Sequence, residues 1–169
     1  MLKPIDVFVV VKLAVSTEAA TYADLAFELG LSASQVHRAV KNSQASGLIH
    51  SGTLQTNSPA LLEFLVHGVK YAYPPKRGPV TRGMATAHSA PPLRSVFVDN
   101  GSAFVWPDPE GEMRGESLEP LHKRVPFAAK RDPRLHEMLA LIDAVRAGRA
   151  RDRELAQRHL EERVYARAL

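Results

Sequence analysis

Residues 4–15, PIDVFVVVKLAV, are apolar on almost every side and rich in valine. Propensity alone suggests a buried strand, because β-branched side chains suit extended backbone. Pro4 fits the first turn of a helix, however, and the two segments that follow read as helices needing a third to close a small core, so a helix is expected. Thr21 followed three residues later by Asp24 is a capping-box variant, and Tyr22, Leu25, Ala26 and Leu29 share one face, giving a helix over about 21–29. Gly30 stands where a helix C-terminus favours a left-handed residue, and Leu31 fills the turn. Ser32 with Gln35 makes a second capping box, ahead of a helix to about Ser46 whose inner face is Val36, Ala39, Val40 and Ser43. Gly47 ends it.

LIHSGTLQT then reads as two very short strands around Ser51-Gly52, or as one strand and an irregular turn. Ser58-Pro59 opens another helix, with Leu61, Leu62, Leu65 and Val66 as its stripe and Gly68 as its stop. Over 73–93, Pro74, Pro75, Pro79, Pro91 and Pro92 predict extended or irregular backbone and a boundary. SVFVDN and SAFVWPD flank Asn100-Gly101, a tight-turn dipeptide, and so suggest a hairpin; PEGEMRGESLEPL reads as loop. From Pro133 to Ala147, Leu135, Met138, Leu139, Ile142 and Val145 recur at helical spacing before Gly148. A last helix over about 150–166 carries Leu155, Ala156, Leu160 and Val164 on one side and Arg/Glu on the other. These two helices form a hairpin or a dimer arm.

The expected fold class is therefore α+β, in three parts: an N-terminal helical unit over 1–73, a proline-rich connection with a small β hairpin over 74–131, and a C-terminal helical hairpin over 132–169. At 169 residues the chain can bury a real core. It has no cysteine, which excludes disulfides, thiolate metal sites and cysteine nucleophiles and fits a reducing cytoplasm. Asp6 and Lys12 break the N-terminal apolar run, so no signal peptide is read there, and no stretch reaches the ~18 apolar residues of a membrane span.

The net charge of +4 permits a nucleic-acid partner without requiring one. Its distribution says more: no acid lies between Glu28 and Glu63, an interval that holds His37, Arg38, Lys41 and His50. With Val36, Ala39 and Val40 turned to the core, helical geometry puts Ser34, Gln35, His37, Arg38, Lys41 and Asn42 on the outer face. All can donate hydrogen bonds and none is acidic. Such a face suits the major groove of double-stranded DNA: Gln35 and Arg38 for base edges, and Ser34, Lys41 and Asn42 for backbone or mixed contacts, with Ser32 at the helix start. His50 and Thr53 could reach a flanking phosphate.

The segment TYADLAFELGLSASQVHRAVKNSQASGLI resembles the helix-turn-helix core of winged-helix regulators of the MarR-like kind, over roughly residues 4–70. The resemblance implies a winged helix-turn-helix, DNA binding and a two-fold homodimer on a palindromic site, as in a repressor. The C-terminal run LIDAVRAGRARDRELAQRHLEERV resembles tails of small regulators paired with nucleotidyltransferase toxins. A second reading is thus an adaptor or antitoxin that binds a protein partner through the region after residue 73.

Two further basic clusters, Lys76, Arg77 and Arg82, and Lys123, Arg124, Lys130, Arg131 and Arg134, are either phosphate arms or solvated charges paired with nearby acids such as Asp132 and Glu137. The seven histidines lack paired i, i+4 spacing and a close carboxylate, so no metal is expected. His88-Ser89 has no nucleophile elbow around it, and Gly78, Gly83 and Gly101 make no phosphate-cradling loop, so neither catalysis nor a cofactor is expected. Tyr71, Tyr73, Phe97, Phe104 and Trp106 read as a small core of the middle segment rather than a ligand pocket.

Overall fold

The valine-rich segment forms helix α1 (Pro4–Val15), and Val7 through Val11 have no exposed surface. A helix enclosed on every side needs no polar face, so its composition reports burial rather than extended backbone. The Lys3 amide donates to the Asp6 carboxylate at 2.7 Å, starting the helix where Pro4 allows it. The computed structural model describes residues 1–96 and 103–166.

Both capping boxes form. The Thr21 hydroxyl accepts from the Asp24 amide at 3.1 Å at the start of α2 (Tyr22–Leu29). The Ser32 hydroxyl accepts from the Gln35 amide at 3.2 Å at the start of α3 (Ala33–Ala45). Between them Gly30 is left-handed, with φ of 66°, and the Leu31 amide donates back to the Ala26 carbonyl. Leu25, Leu29, Val36, Ala39 and Val40 bury against α1. After α3 comes one antiparallel bridge, Ile49 to Thr56, turned at Gly52.

The helix opened by Ser58-Pro59 does not stop at Gly68. Helix α4 (Ser58–Glu63) runs through a π turn (Phe64–Gly68) into α5 (Val69–Ala72). Gly68 keeps φ at −106°, well away from the left-handed region, and Val69 is fully buried, so packing carries the chain past the expected break.

In the proline-rich region the extended alternative holds and goes further than expected: residues there form the paired strand β1 (Arg77–Thr86), and Pro79, which has no amide to donate, falls at the register shift between Gly78 and Val80. Strand β3 (Met113–Leu118) replaces an expected loop. Strand β2 (Phe104–Pro107) pairs antiparallel with β1 and parallel with β3, so three strands close on one another. The Asn100-Gly101 hairpin lies outside the described residues; Ser95, expected at its first strand, ends a single 3-10 turn.

Helices α6 (Val125–Arg131), α7 (Pro133–Ala147) and α8 (Ala150–Tyr165) complete the chain. Helix α7 pairs with α8 but is no free arm: Leu135, Met138, Leu139, Leu141, Ile142 and Val145 are all buried, and it packs on α1, α5 and β1 as well. A single cluster of buried side chains runs from Val7 to Val164 and crosses both boundaries expected near 73 and 131. Asp143, also buried on α7, ties this core together. Its carboxylate accepts from the Thr86 hydroxyl and Trp106 Nε1, both at 2.7 Å, and from Arg146 at 2.8 Å. Burial pushes the Asp143 carboxyl up, against the pull of Arg146 and the two neutral donors.

Of the aromatic residues expected to form a middle core, Phe104 and Trp106 do so, whereas Tyr71 is exposed and Tyr73 donates its hydroxyl to the Leu2 carbonyl at 2.8 Å. Phe97 lies outside the described residues. Ser89 is a structural residue, its hydroxyl accepting from the Phe104 amide at 3.0 Å.

Candidate nucleic-acid interface

Helix α3 has its back against α1 and α2 and its front open. Ser34, His37, Arg38 and Lys41 are exposed and share that front, and among the described residues no carboxylate pairs with Arg38 or Lys41. A cation without an internal partner can take a phosphate or a base edge without first breaking an ion pair. His37 stacks flat on Tyr22 of α2, with ring centroids 4.0 Å apart and planes within 7°, which fixes the direction in which its nitrogens point.

Gln35 is partly spent. Its side-chain carbonyl accepts from the Ser32 amide at 2.9 Å, completing the cap, so only its NH2 group faces outward. The bidentate Gln pairing with adenine needs both an acceptor and a donor. With its carbonyl engaged in the cap, Gln35 offers its NH2 group as the free donor, which suits guanine O6 or N7, thymine O4 or a phosphate. The Ser32 and Ser34 hydroxyls lie 3.1 Å apart at the same helix start.

Two expected contact residues have other work. Asn42 is half-buried and its amide donates to Asp6 at 3.1 Å, fastening α3 to α1. The Thr53 hydroxyl donates to the His50 carbonyl at 2.9 Å and accepts from the Gln55 amide at 3.1 Å, so it holds the turn instead of facing a ligand. Gln44 of α3 donates to the Thr53 carbonyl at 2.9 Å, anchoring the turn to the helix. The His50 side chain is exposed on the same turn.

The other basic residues divide in two. Lys76 lies 3.7 Å from Glu119, Arg77 3.9 Å from Glu116, and Lys130 2.5 Å from Asp108. Lys130 and a backbone hydrogen bond from Glu110 more than offset partial burial and hold the Asp108 carboxyl below its ordinary range. By contrast, Asp132 and Glu137, the acids expected to neutralise the second cluster, are engaged elsewhere: Asp132 with Lys12 at 2.7 Å and Glu137 with Arg163 at 2.9 Å. Arg124 and Arg131 are left over aromatic rings, a placement that spacing along the chain does not disclose because Phe27 and Arg131 are far apart in sequence.

No helix among the described residues is long and apolar enough to cross a membrane. Compared with known family models, with curated proteins and with solved structures, the chain matches none of them.

Proposed function

We propose that this chain is a sequence-specific DNA-binding transcription regulator of the winged helix-turn-helix type, acting as a repressor, with α3 as the helix that enters the major groove. The observation that carries the reading is the acid-free front of α3. Ser34, His37, Arg38 and Lys41 stand exposed there, on a helix whose back is locked to α1 and α2. The capped helix start supports it too, since an ordered N-terminus lets the first residues meet base edges in one orientation. The Ile49–Thr56 turn stands in the place of a wing and is short. Most sequence reading therefore falls to the helix, with Arg38 and the Gln35 NH2 group on base edges and Lys41 on phosphate.

Fluorescence anisotropy against duplexes tiling the region upstream of the coding sequence, at about physiological salt, tests this. Specific sites are typically bound at least about a thousandfold more tightly than random duplex. One duplex is expected to bind far more tightly than the rest, and the Arg38→Ala/Lys41→Ala pair is expected to erase that preference. Equal, weak binding of every duplex, or a double variant indistinguishable from wild type, sinks the assignment and favours the protein-binding adaptor reading.

A further inference from the structure

On the side of α2 away from the core, Phe27 is 72% exposed, an unusual place for a large apolar ring. Helix α6 brings a second exposed ring, Phe127, beside the turn between α2 and α3, so close that a Cβ on Gly30 would sit 3.0 Å from it. The guanidinium of Arg131 lies over both rings, 5.3 Å from the Phe27 centroid and 4.6 Å from that of Phe127. Arg124 lies 5.8 Å from the Phe127 centroid. Among the described residues neither arginine has a carboxylate partner, because the nearby acids serve Lys12, Lys130 and Arg163. Lys123 is exposed beside them.

The rings restrict the guanidiniums without neutralising them. An arginine held on an aromatic face keeps its full charge and its edge donors, and loses less side-chain freedom when a ligand arrives. Exposed, unpaired and oriented cations call for an anionic partner, and their position selects which one. The patch adjoins Gly30, two residues before the Ser32 cap, and so lies beside the N-terminal end of α3.

We infer that Arg124 and Arg131, held on Phe127 and Phe27, form a second, sequence-independent contact with the DNA backbone, gripping phosphates beside the groove that α3 enters. This rests on the DNA-binding reading of α3. Helix α3 would select the sequence, and the α6 pair would set much of the affinity and of its salt dependence.

The test is anisotropy titration of an Arg124→Ala/Arg131→Ala variant from about 50 to 200 mM salt, on the preferred duplex and on a random one, beside the Arg38→Ala/Lys41→Ala variant. Each phosphate contact contributes about 0.9 to the slope of log affinity against log salt. The α6 variant should lower the slope by about 1 to 2. It should also weaken both duplexes by about tenfold to a hundredfold near 0.1 M salt, leaving the ratio between them unchanged. The α3 variant should instead collapse that ratio. If the α6 variant keeps wild-type affinity and slope while the α3 variant loses discrimination, the second contact is wrong and the reading of α3 stands; an acidic protein partner then becomes the occupant to test. If neither variant differs from wild type, or wild type binds no duplex, both fall. Both arginines are exposed, so far-UV circular dichroism and urea unfolding should match wild type.

Discussion

Replacing Asp143 by alanine should cost more stability than any surface change in this chain. Its carboxylate accepts from three side chains, each within 2.8 Å, and the Arg146 side chain keeps only 4% of its surface in contact with solvent. Removing one member of a buried pair leaves an uncompensated charge, at about 3–5 kcal/mol. The Thr86 hydroxyl and the Trp106 indole N–H each lose a partner, at about 1–3 kcal/mol if left bare. Arg146 keeps its bonds to the Tyr73 and Glu119 carbonyls, which moderates the total. A loss of about 4–5 kcal/mol is expected. At roughly 2–4 °C per kcal/mol for a chain of this size, the melting temperature falls by about 8–20 °C.

Urea unfolding followed by far-UV circular dichroism measures the loss, and Trp106, the sole tryptophan, reports on the site itself by fluorescence. Asp143→Asn, which keeps an acceptor for Thr86 and Trp106, should lose less than Asp143→Ala. A loss below about 1 kcal/mol for the alanine variant would refute the idea that the carboxylate joins α7 to the sheet, because the penalty for a stranded buried cation would be missing.

Two further outcomes follow from local geometry. Gly30→Ala places a side chain at φ of 66° and 3.0 Å from the Phe127 ring, whereas Gly47→Ala meets a similar φ of 79° with nothing within 4 Å. Both should lose about 1–2 kcal/mol to the left-handed backbone, and only Gly30→Ala should lose more; equal losses in urea titrations would show that α6 yields freely. Partial burial, and after it Lys123 and Arg124, hold the His122 imidazole below its ordinary value, so on acidification the unfolded chain takes up that proton before the folded chain does. Stability should therefore fall as pH drops below about 6.5, more steeply in wild type than in His122→Gln; superimposable pH profiles between about 7 and 5 would rule this out.

The elements legible in the sequence are those whose signals are local. Thr21 with Asp24, Ser32 with Gln35, and Pro133 mark helix starts within one turn, and all three helices begin there. Strand β1 hides because prolines ordinarily exclude strands, and only its pairing with β3 shows that Pro79 sits at a bulge. Strand β3 hides because MRGESL has no alternation of polar and apolar residues; the close pairing of strands on both sides buries Gly115, Ser117 and Leu118 alike. The outer face of α3 is legible at Ser34, His37, Arg38 and Lys41, whose exposure needs only helical geometry. It is not legible at Asn42, whose partner Asp6 lies 36 residues away. Nor could spacing show that Asp132 and Glu137 leave the adjacent arginines unpaired.

Lys12 explains how these distant pieces reach their positions. It is the buried cation of α1, a helix whose other charged residue is Asp6, and it lies 2.6 Å from Glu28 on α2 and 2.7 Å from Asp132. Burial opposes its charge, but the two carboxylates outweigh that and hold the ammonium above its ordinary value. Asp132 has a second duty as the N-cap of α7, accepting from the Arg134 and Leu135 amides at 3.1 and 3.2 Å. One carboxylate therefore neutralises α1's lysine and fixes the corner at which α6 turns into α7. Arg131 is the residue just before that corner, and Glu28 is the residue just after Phe27. The same ion-pair network that satisfies the buried lysine thus sets Arg131 over the Phe27 ring and draws both neighbouring acids away from it. The exposed charge beside α3 follows from how the interior is neutralised.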